Sequence, residues 1–530
     1  MTRSVDDIAR GLERARPPRT IAHGERIHVV GAAGSAASAS LLLAGAAGAV
    51  VSGCDAGEPT RYSHAVEAAS IPIAWQHALA HVVGPEGHAV VDRIAVSKAL
   101  TSVDPDHPEL RAAHEAGIPA ISCQQLIADA IATRGGDLLA VAGTHGKSTA
   151  TGWLVHLLVR AGLDPSAFVG AILPPELTGA EESVVRLGRG RATVVEADEY
   201  AGNFDPYRPL IGVLLNADWD HPDVFATRAD VVAAFEGWIR RFKGSVPGDG
   251  GADPPTLVAN AGDAGVAELL PRLVDWPGRL LAFDVIVGDA AAAGRRLAEL
   301  RATYRTALGP AEGLVADYEA DDDGTARIVV HGVAGHDAEV AHLRLVGRHN
   351  ADDALGAAGG ALAYGADPEA IFIGLRTFSG VGRRFELKGD IGGIVVLDDY
   401  GHHPTAIAAT LDAVALRYPG RLIWAVYEPL TFHRTAAMLE PFADVLARAD
   451  RVAIADIFAV RDPDTTIVSA DDLAAAVESR GTPAIAPGSA EDTADALAPL
   501  VISGDVVLVM GGGRSSLIAE RLVESLEARP

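Results

Sequence analysis

Short apolar runs alternate with segments of helical spacing along most of the chain. Residues 27–30, 138–142 and 210–215 are such runs, and each has the length of a buried strand. The segment after residue 148 places its large apolar side chains on one helical face, at Trp153, Leu154, Leu157 and Leu158. Strands that alternate with helices predict parallel sheets with helices packed on their faces. We therefore expect an α/β protein.

The pattern divides into sections, as expected for 530 residues, which exceed one ordinary domain. We predict an N-terminal extension at residues 1–22 and three α/β units at residues 23–134, 135–345 and 346–530. Residues 244–256 are rich in Gly and Pro and predict an exposed loop. Residues 285–345 have a β-like pattern, with residues 321–324 as a hairpin turn.

Composition narrows the class of protein. A formal net charge of −26 argues against general binding to nucleic acids or anionic membranes, although a local basic pocket can still hold small anions. The two cysteines, Cys54 and Cys123, cannot form a disulfide framework, which fits a reducing compartment. Residues 41–51 are too short for a membrane span, and the N-terminus lacks an apolar signal core. We expect a cytoplasmic protein with neither nucleic-acid nor membrane partners.

The strongest chemical signal follows the apolar run at residues 138–142. The next residues read Gly143-Thr144-His145-Gly146-Lys147-Ser148-Thr149 and lead into the predicted helix. Backbone N–H groups at a helix start accept oxyanions, the lysine reaches the outer phosphates, and the hydroxyl holds Mg²⁺. Val141 occupies the position of the first glycine in the common phosphate-loop pattern, and an ordinary glycine turn is the alternative. Lys-Ser directly after glycine favours phosphate binding.

Two acidic clusters follow neighbouring apolar runs. Glu196, Asp198 and Glu199 come after the first run, and Asp218, Asp220 and His221 come after the second. Ligands of open α/β sheets collect at the carboxyl ends of strands, so we expect both clusters to face Lys147. Carboxylates with one imidazole suit Mg²⁺. The alternative for each cluster is a solvated turn with aspartates that cap helices.

Each of the outer units also has a candidate loop. In the first unit, a strand, Gly31 and Gly34, an Ala-rich helix and a second strand ending at Asp55 outline a nucleotide-binding unit. Only two glycines of the usual fingerprint remain, so a packing helix without a ligand is the alternative.

In the third unit, residues 398–403 read Asp-Asp-Tyr-Gly-His-His at a strand end and predict a second wall of a polar site. A capped helix start with buried histidines is the alternative. Arg383 and Arg384 follow glycines, which suits a phosphate clamp, although they could be a surface pair.

Six of these motifs, in this order, resemble the Mur ligase family. They are Gly143-Thr-His-Gly-Lys-Ser-Thr149, Glu196-Ala-Asp-Glu199, Asp218-Trp-Asp-His221, Gly347-Arg-His-Asn350, Gly382-Arg-Arg-Phe385 and Asp398-Asp-Tyr-Gly-His-His-Pro404. The resemblance covers nearly the whole chain from about Arg26. It implies an N-terminal Rossmann-like domain that binds a UDP substrate, a central P-loop ATPase domain, and a C-terminal Rossmann-like domain that closes on ATP.

The implied activity is ATP-dependent amide formation in peptidoglycan precursor synthesis. L-alanine, or another small amino acid, would be joined to the carboxylate of UDP-N-acetylmuramate through an acyl phosphate, by a monomer or a homodimer. Three alternatives stay open: a ligase that recycles preformed cell-wall peptides, a paralogue with a different donor, and a nucleotide-binding module without turnover.

The resemblance also implies roles for individual residues. Lys147, Glu196, His221 and Arg384 would be catalytic, and two Mg²⁺ ions would be held by Ser148 or Thr149 with Glu196, and by His221. ATP would contact the loop from Gly143 to Thr149 together with His349, Asn350, Arg384, Asp399 and Tyr400. The substrates would contact Gly31, Gly34, Ser35, Ser38, Asp55, His402 and Arg434.

Both substrate ends depart from the family pattern. The glycine-rich N-terminal loop has Ala33 and Ala36 here, whose methyl groups could crowd a pyrophosphate. A histidine expected near the incoming amino acid is replaced by Leu430, and His433 stands three residues further on. The ATPase motifs are therefore expected to be intact, and the identity of donor and acceptor is the open question.

Overall fold

In a computed structural model, the described residues form three separate sheets, of five, ten and six strands. The structure describes residues 3–179, 182–244, 254–304, 312–321, 325–336, 338–459, 462 and 464–529. Helices cover the sheets, so the predicted α/β class is confirmed. Among the described helices, none combines the length and the apolar character needed to cross a bilayer.

The first unit is a fully parallel sheet with strand order β3-β2-β1-β4-β5. Its elements are α1 (Val5–Ile8), β1 (Arg26–Val30), α2 (Ser35–Ala46), β2 (Val50–Cys54), α3 (Arg61–Ala68), β3 (Ile73–Ala74), β4 (Arg93–Val96), α4 (Lys98–Val103), α5 (Pro108–Glu115), β5 (Ala120–Ser122) and α6 (Cys123–Arg134). The N-terminal extension is tied to this unit, because Arg16 forms an ion pair of 2.9 Å with the buried Asp129.

The central sheet has the order β15-β14-β13-β12-β11-β10-β6-β9-β7-β8. Its strands are β6 (Asp137–Ala142), β7 (Ser166–Leu173), β8 (Ser183–Arg186), β9 (Ala192–Ala197), β10 (Ile211–Leu214), β11 (Thr256–Asn260), β12 (Arg279–Ile286), β13 (Glu312–Ala320), β14 (Ala326–His331) and β15 (Glu339–Leu343). Its helices are α7 (Lys147–Arg160), α8 (Pro175–Thr178), α9 (Arg228–Ile239), α10 (Ala264–Leu269), α11 (Ala290–Thr303), α12 (Arg348–Ala363) and α13 (Pro368–Thr377). Strand β6 lies between parallel neighbours, which explains why residues 139–142 are apolar and fully buried.

Two predicted turns fall partly outside the described residues. Strands β13 and β14 form an antiparallel pair in which Ala320 faces Ala326, as the β-like pattern predicts. Residues 322–324 of the predicted hairpin turn lie outside the described residues. So do residues 245–253 of the predicted loop at residues 244–256.

Helices α12 and α13 pack on the central sheet and not on the third one. Ala351, Leu355 and Phe372 share an apolar core with Leu154 and Leu157 of α7. The predicted start of the third unit at residue 346 would group these two helices with the third unit, although their apolar residues lie in the core that also contains α7. We propose that the boundary lies after Thr377.

The third unit has the strand order β16-β17-β21-β18-β19-β20, parallel except for the pair β16–β17. Its strands are β16 (Glu386–Ile391), β17 (Ile394–Asp399), β18 (Ile423–Glu428), β19 (Arg451–Ala455), β20 (Ala484–Gly488) and β21 (Val506–Gly511). Its helices are α14 (Pro404–Arg417), α15 (Phe432–Ala437), α16 (Leu439–Leu446), α17 (Ala470–Glu478), α18 (Ala490–Leu497) and α19 (Ser515–Glu527).

Candidate functional site

A cavity of about 730 Å³ lies at the carboxyl ends of β10, β6 and β9, which are adjacent in the central sheet. All three units contribute to its wall. The predicted site residues that line it are Ser35, Thr144, His145, Gly146, Lys147, Ser148, Glu196, His221, Arg384, Tyr400, His402 and Arg434. Strand ends of an open parallel sheet are where such folds bind ligands.

The loop between β6 and α7 is held by its own backbone and by the end of β10. The His145 N–H donates to Asn216 Oδ1 at 2.8 Å, and the Thr144 hydroxyl donates to the Asp218 carbonyl at 3.1 Å. Gly146 has φ +78°, and a Cβ there would lie 2.1 Å from the Asp353 carboxylate. The loop therefore needs glycine at residue 146, both for its conformation and for space.

The Lys147 ammonium lies over this loop and is paired with a carboxylate. It donates to the Gly143 carbonyl at 2.7 Å and to Glu199 Oε2 at 2.9 Å, and Asp198 lies 3.9 Å away. Burial by itself would lower the pKa of Lys147, but these two carboxylates raise it above the ordinary value. Burial also raises the pKa of Glu199 to about 7, although the lysine opposes that shift. The ammonium is therefore a fixed positive charge at the phosphate loop.

The oxygen ligands that Mg²⁺ prefers occur next to the lysine. The Ser148 hydroxyl and the Glu196 carboxylate line the same cavity, and Glu196 Oε2 accepts the Gly170 N–H at 2.6 Å. Glu199 Oε1 is buried and has no hydrogen-bond partner among the described residues. One ligand atom each of Asp198, Glu199 and His221 lie within 4.8 Å of one another. This set of carboxylates, hydroxyl and imidazole fits a hard divalent cation.

His221 and Asp220 join the central unit to the third unit. The Arg434 guanidinium, which is 2% exposed, forms an ion pair with Asp220 Oδ1 at 2.8 Å and donates to His221 Nδ1 at 3.1 Å. Burial opposes ionisation of Asp220, but the charges of Arg434 and His221 hold its pKa well below its usual range. Arg434 Nε and Nη1 have no partner within the described part of the chain, so this buried cation still has donors for an anionic ligand.

The two neighbouring arginines have different positions. Arg384 reaches the phosphate loop, with Nη2 at 3.3 Å from the Ser148 hydroxyl and its guanidinium 5.0 Å from the centre of the Tyr400 ring. Arg383 also lies 5.2 Å from that ring, but its other contacts run inward, to Asp398 at 3.2 Å and to the Ser515 hydroxyl at 2.6 Å. Of the pair, Arg384 therefore has the position of a phosphate clamp, and Arg383 ties the loop to its own sheet.

A second cavity of about 270 Å³ lies beside the phosphate loop and contains the other predicted ATP contacts. Thr149, His349, Asn350 and Asp399 line it, together with His145, Gly146 and Arg384. Asn350 Nδ2 donates to the Val346 carbonyl at 2.7 Å. Asp399 accepts the N–H groups of Phe385 and Gly401, so it also holds the loop that carries Arg384. Gly143 lines neither cavity, and its part in the loop is to accept the Lys147 bond.

In the first unit, Ser35 is the one predicted substrate contact that reaches the large cavity, where Ala36 accompanies it. Ser38 is fully buried, and its hydroxyl donates to the Ala32 carbonyl at 2.8 Å. Asp55 accepts the Ala33 N–H at 2.9 Å and the Gly57 N–H at 2.9 Å. The structure thus places Ser38 and Asp55 as supports of the loop.

Gly31 and Gly34 belong to the same supporting framework. Neither residue lines either cavity. Gly31 has φ +87°, which glycine adopts without strain, and its carbonyl accepts the Gly34 N–H at 3.2 Å. Their local role is therefore to shape the turn that brings Ser35 to the cavity.

Two residues in the cavity wall are not among the individually predicted contacts: Lys98, which belongs to no predicted motif, and His403, which lies in the predicted wall at residues 398–403. Lys98 begins α4, its ammonium donates to the Ala201 carbonyl at 2.7 Å, and burial lowers its pKa to about 8. Lys98 follows the carboxyl end of β4 closely, and ligands of open α/β sheets collect at such strand ends, so its position could have indicated a site residue. His403 stacks on His145 with 4.4 Å between ring centres, and its Nε2 donates to the Trp219 carbonyl at 3.1 Å.

The large cavity also shows the positions of the two residues that depart from the family pattern near the expected amino-acid site. Leu430 lines the wall, whereas His433 does not and instead contacts Asp462 at 3.0 Å. His433 therefore does not take the place of the histidine that Leu430 replaces.

Comparisons with known proteins agree with this architecture. Residues 26–134 match the model described as Mur ligase family, catalytic domain, and residues 383–513 match the model described as Mur ligase, glutamate ligase domain. UDP-N-acetylmuramate–L-alanine ligase of Chloroflexus aggregans is 33% identical over 503 residues, which are 94% of this chain and 98% of that protein.

Two solved structures share the fold. UDP-N-acetylmuramate–alanine ligase of Thermotoga maritima has a TM-score of 0.72 at 22% identity and covers 95% of this chain and 99% of its own. A murein peptide ligase of Psychrobacter arcticus has a TM-score of 0.67 at 22% identity, with 96% and 100% covered. At these identities the structures show the common arrangement of three units.

Proposed function

The chain belongs to the Mur ligase family of ATP-dependent ligases, and we propose that it joins L-alanine to the carboxylate of UDP-N-acetylmuramate. The observation that carries this proposal is the larger of the two cavities at the phosphate loop, because all three units contribute to its wall. A ligase needs ATP, an acid and an amine in one place, and three units around one cavity can each supply one binding wall. The Chloroflexus aggregans relative, which matches this chain over 98% of its own length, is named for this activity.

The chemistry that these residues support has two steps. A carboxylate oxygen of the donor attacks the γ-phosphorus of ATP, the bond to ADP breaks, and an acyl phosphate forms. The amine of the amino acid then attacks the acyl carbon and loses a proton as phosphate leaves with the electron pair. The first step brings two anions together, so the positive charges of Lys147 and Arg384 at the loop lower its barrier.

Mg²⁺ fits the oxygen-rich wall of the cavity. Ser148 or Thr149 with Glu196 would hold one ion, and His221 would hold a second. Such ions neutralise phosphate charge during phosphoryl transfer. Ser148 lies on the same cavity wall as Glu196, whereas Thr149 lines the smaller cavity, so we favour Ser148 as the ligand.

The positions of the remaining groups suggest how the substrates are arranged. The smaller cavity beside Asn350 and His349 would take the adenine end of ATP. The free donors of Arg434, with His402 beside them, would bind the carboxylate of the amino acid. Ser35 and Lys98 would face the sugar nucleotide. Enclosure by three units would limit hydrolysis of the acyl phosphate.

One observation favours an acceptor other than free L-alanine. Leu430 provides an apolar wall where the family pattern has a histidine near the incoming amino acid. A ligase for preformed cell-wall peptides is therefore the second candidate. The two candidate ligases use different amines, so reaction mixtures that differ only in the amine distinguish them.

The test measures phosphate release from ATP and Mg²⁺ with UDP-N-acetylmuramate, in three mixtures that contain no amine, L-alanine or a preformed cell-wall peptide. Release that requires both the sugar nucleotide and L-alanine supports the proposal. Release with the peptide alone supports the recycling ligase. ATP binding without release in any mixture overturns both assignments and points to another donor.

Lys147→Ala tests the ATP site in the same assay. Removal of a charge aimed at the transferring phosphoryl group should lower kcat about 100-fold or more. Lys388→Ala is the matched control, because Lys388 pairs with Glu386 on β16, and neither residue lines either cavity. Full turnover by Lys147→Ala would contradict the assignment.

A further inference from the structure

A second group of metal-ligating side chains lies in the first unit, and none of its members lines the two cavities described above. His28 lies on β1, Cys54 ends β2, His81 follows β3 in a short helical turn, and Glu109 lies in the first turn of α5. We propose that these four residues bind one divalent transition-metal ion, with Zn²⁺ as the preferred ion. This inference is independent of the ligase activity proposed above.

The distances in the group are those of a metal site before the ion enters. Cys54 Sγ lies 3.2 Å from His28 Nε2 and 3.1 Å from Glu109 Oε2, and His81 Nδ1 lies 2.6 Å from Glu109 Oε1. One ligand atom of each residue falls within 4.8 Å of all the others. A tetrahedral Zn²⁺ with bonds of 2.0–2.3 Å separates its ligands by about 3.3–3.8 Å, so small shifts complete the sphere.

Several polar groups surround the Cys54 sulfur. A thiol has one proton to donate and is a weak acceptor. Cys54 Sγ nevertheless has close polar neighbours on several sides, since His77 Nδ1 also lies 3.2 Å away and Glu109 Oε1 lies 3.4 Å away. A metal ion placed between these atoms could bond to the thiolate, to imidazole nitrogen and to carboxylate oxygen at once, as in a metal–thiolate centre.

Neighbouring groups orient the ligands in the way known metal sites do. His28 Nδ1 is 2.9 Å from the Ser52 hydroxyl, which leaves Nε2 directed at the sulfur. Glu109 Oε1 accepts the Ala78 N–H at 2.9 Å, which holds the carboxylate in place. A second hydrogen bond on the far nitrogen of a ligating imidazole is the usual support of such a ligand.

Burial gives the site both a dry interior and an entrance. Cys54 and Glu109 are 0% exposed and His28 is 2% exposed, whereas the side chain of His81 is 19% exposed. His77, next to it, is 22% exposed, and its ring packs edge-on against His107 at 4.5 Å. An ion can therefore enter past the imidazoles at the surface.

The ligand set selects the class of metal. One sulfur, two imidazole nitrogens and one carboxylate suit Zn²⁺ or Co²⁺ and are a poor match for Mg²⁺, which takes oxygen ligands. This chemistry separates the site from the catalytic cavity, where the candidate clusters contain histidine and carboxylates but no cysteine.

A bound ion would also affect the loop at residues 31–34, between β1 and α2, which we call the donor loop. The Cys54 carbonyl accepts the N–H groups of Gly31 at 2.9 Å and Ala32 at 3.0 Å, and that loop leads to Ser35 in the large cavity. An ion on Cys54, His81 and Glu109 would fasten β2, the turn and α5 to one point. We therefore expect the metal to stabilise the first unit and the shape of this loop.

The test uses the full-length protein, stripped with a chelator and titrated with Co²⁺ in the presence of excess Mg²⁺. We expect a thiolate-to-cobalt charge-transfer band and tetrahedral d–d bands that saturate at one equivalent, and elemental analysis should find one Zn²⁺ after exchange. Cys54→Ser should abolish the charge-transfer band, and His81→Gln should weaken binding at least about 100-fold, beyond the loss typical of outer-shell changes.

Controls separate loss of a ligand from loss of fold. Cys123→Ser changes the other buried cysteine, and His88→Gln changes an exposed histidine, so both should bind the metal as the parent does. Each variant should retain the parent far-ultraviolet circular dichroism and ATP binding. Absence of the charge-transfer band in the parent protein, or its persistence in Cys54→Ser, would overturn the proposal.

Discussion

Several charged residues in the wall of the large cavity have side-chain atoms without a hydrogen-bond partner among the described residues. Lys147, Glu199, Asp220 and Arg434 are each largely or fully buried, which would be costly without partners. Each has at least one ion pair, yet Glu199 Oε1 and two nitrogens of Arg434 have no hydrogen-bond partner in the described ranges. The missing partners match the ligands proposed here, a cation at Glu199 and a carboxylate at Arg434.

Glu428 allows a prediction on pH. Burial raises its pKa to about 7, compared with an ordinary value of 4.5, although the Ser515 N–H and Arg383 oppose the shift. The native state therefore binds this proton more tightly than the unfolded chain, and the stability it contributes below pH 4.5 is lost as pH rises to about 7. At pH 8, Glu428→Gln should raise the free energy of unfolding by about 3 kcal/mol.

Chemical denaturation at several pH values measures this effect. The difference between Glu428→Gln and the parent should disappear below about pH 4.5, where both side chains are neutral. Glu527→Gln, on the exposed end of α19, is the control and should show no such trend. A constant difference at all pH values would show that titration of Glu428 is not the cause.

At the level of elements, α7 is fitted closely to the loop that follows α13. Gly152 lies in the middle of this helix, and a Cβ there would come within 2.4 Å of Val381 and 3.3 Å of Phe378. The same helix supplies Trp153, whose ring lies 4.8 Å from the Phe378 ring. Close packing here keeps the segment that leads to Arg384 against the phosphate-loop helix.

Gly152→Ala and Gly237→Ala should therefore have opposite effects. In α7 the added methyl group must displace its neighbours, which should lower the free energy of unfolding by about 1–3 kcal/mol. Gly237 in α9 has only Arg241 Nη1 near its Cβ position, at 3.8 Å, so alanine should stabilise by up to about 1 kcal/mol. Thermal unfolding of the two variants measures this, and equal shifts would contradict the packing argument.

At the scale of the whole molecule, a few polar contacts hold the third unit on the central one. Arg434 pairs with Asp220 at 2.8 Å, the Thr405 hydroxyl donates to Asp218 at 2.9 Å, and the Gly382 N–H donates to the Ile172 carbonyl at 2.9 Å. The first of these is buried, and the second is exposed. The buried pair should therefore dominate the energy of this contact.

Asp220→Asn tests that assignment. Without the carboxylate, Arg434 is a buried cation with no counter-ion, which typically costs about 3–5 kcal/mol. We expect the third unit to separate from the central unit, with a larger radius of gyration in small-angle scattering and faster proteolysis near residue 380. Thr405→Val, which removes the exposed contact, should change neither quantity by a comparable amount. Unchanged scattering by Asp220→Asn would contradict the role of the pair.

Much of this arrangement was already predictable from local sequence. The α/β class, the glycine turn between β6 and α7, and the acidic clusters after β9 and β10 follow from patterns within about ten residues. Such patterns are reliable because a strand or a helix start is decided by neighbouring side chains and backbone hydrogen bonds. The rule that strand ends share one edge of a sheet then places the clusters near Lys147.

Contacts between distant residues needed the tertiary structure. Local sequence does not show that α12 packs on the central sheet, or that Ser38 and Asp55 support the donor loop from within. It also cannot separate Arg383 from Arg384, which are adjacent in the chain but point to different partners.

The chain by itself determined its elements and the chemistry available at each strand end. Only the tertiary structure decided which of those groups meet, because His28, Cys54 and Glu109 lie far apart in sequence and converge through strand order and helix docking. The same reason holds for the large cavity, where Arg434 of the third unit pairs with Asp220 of the central unit. Local periodicity encodes the elements, and the packing of their apolar faces fixes the pairs.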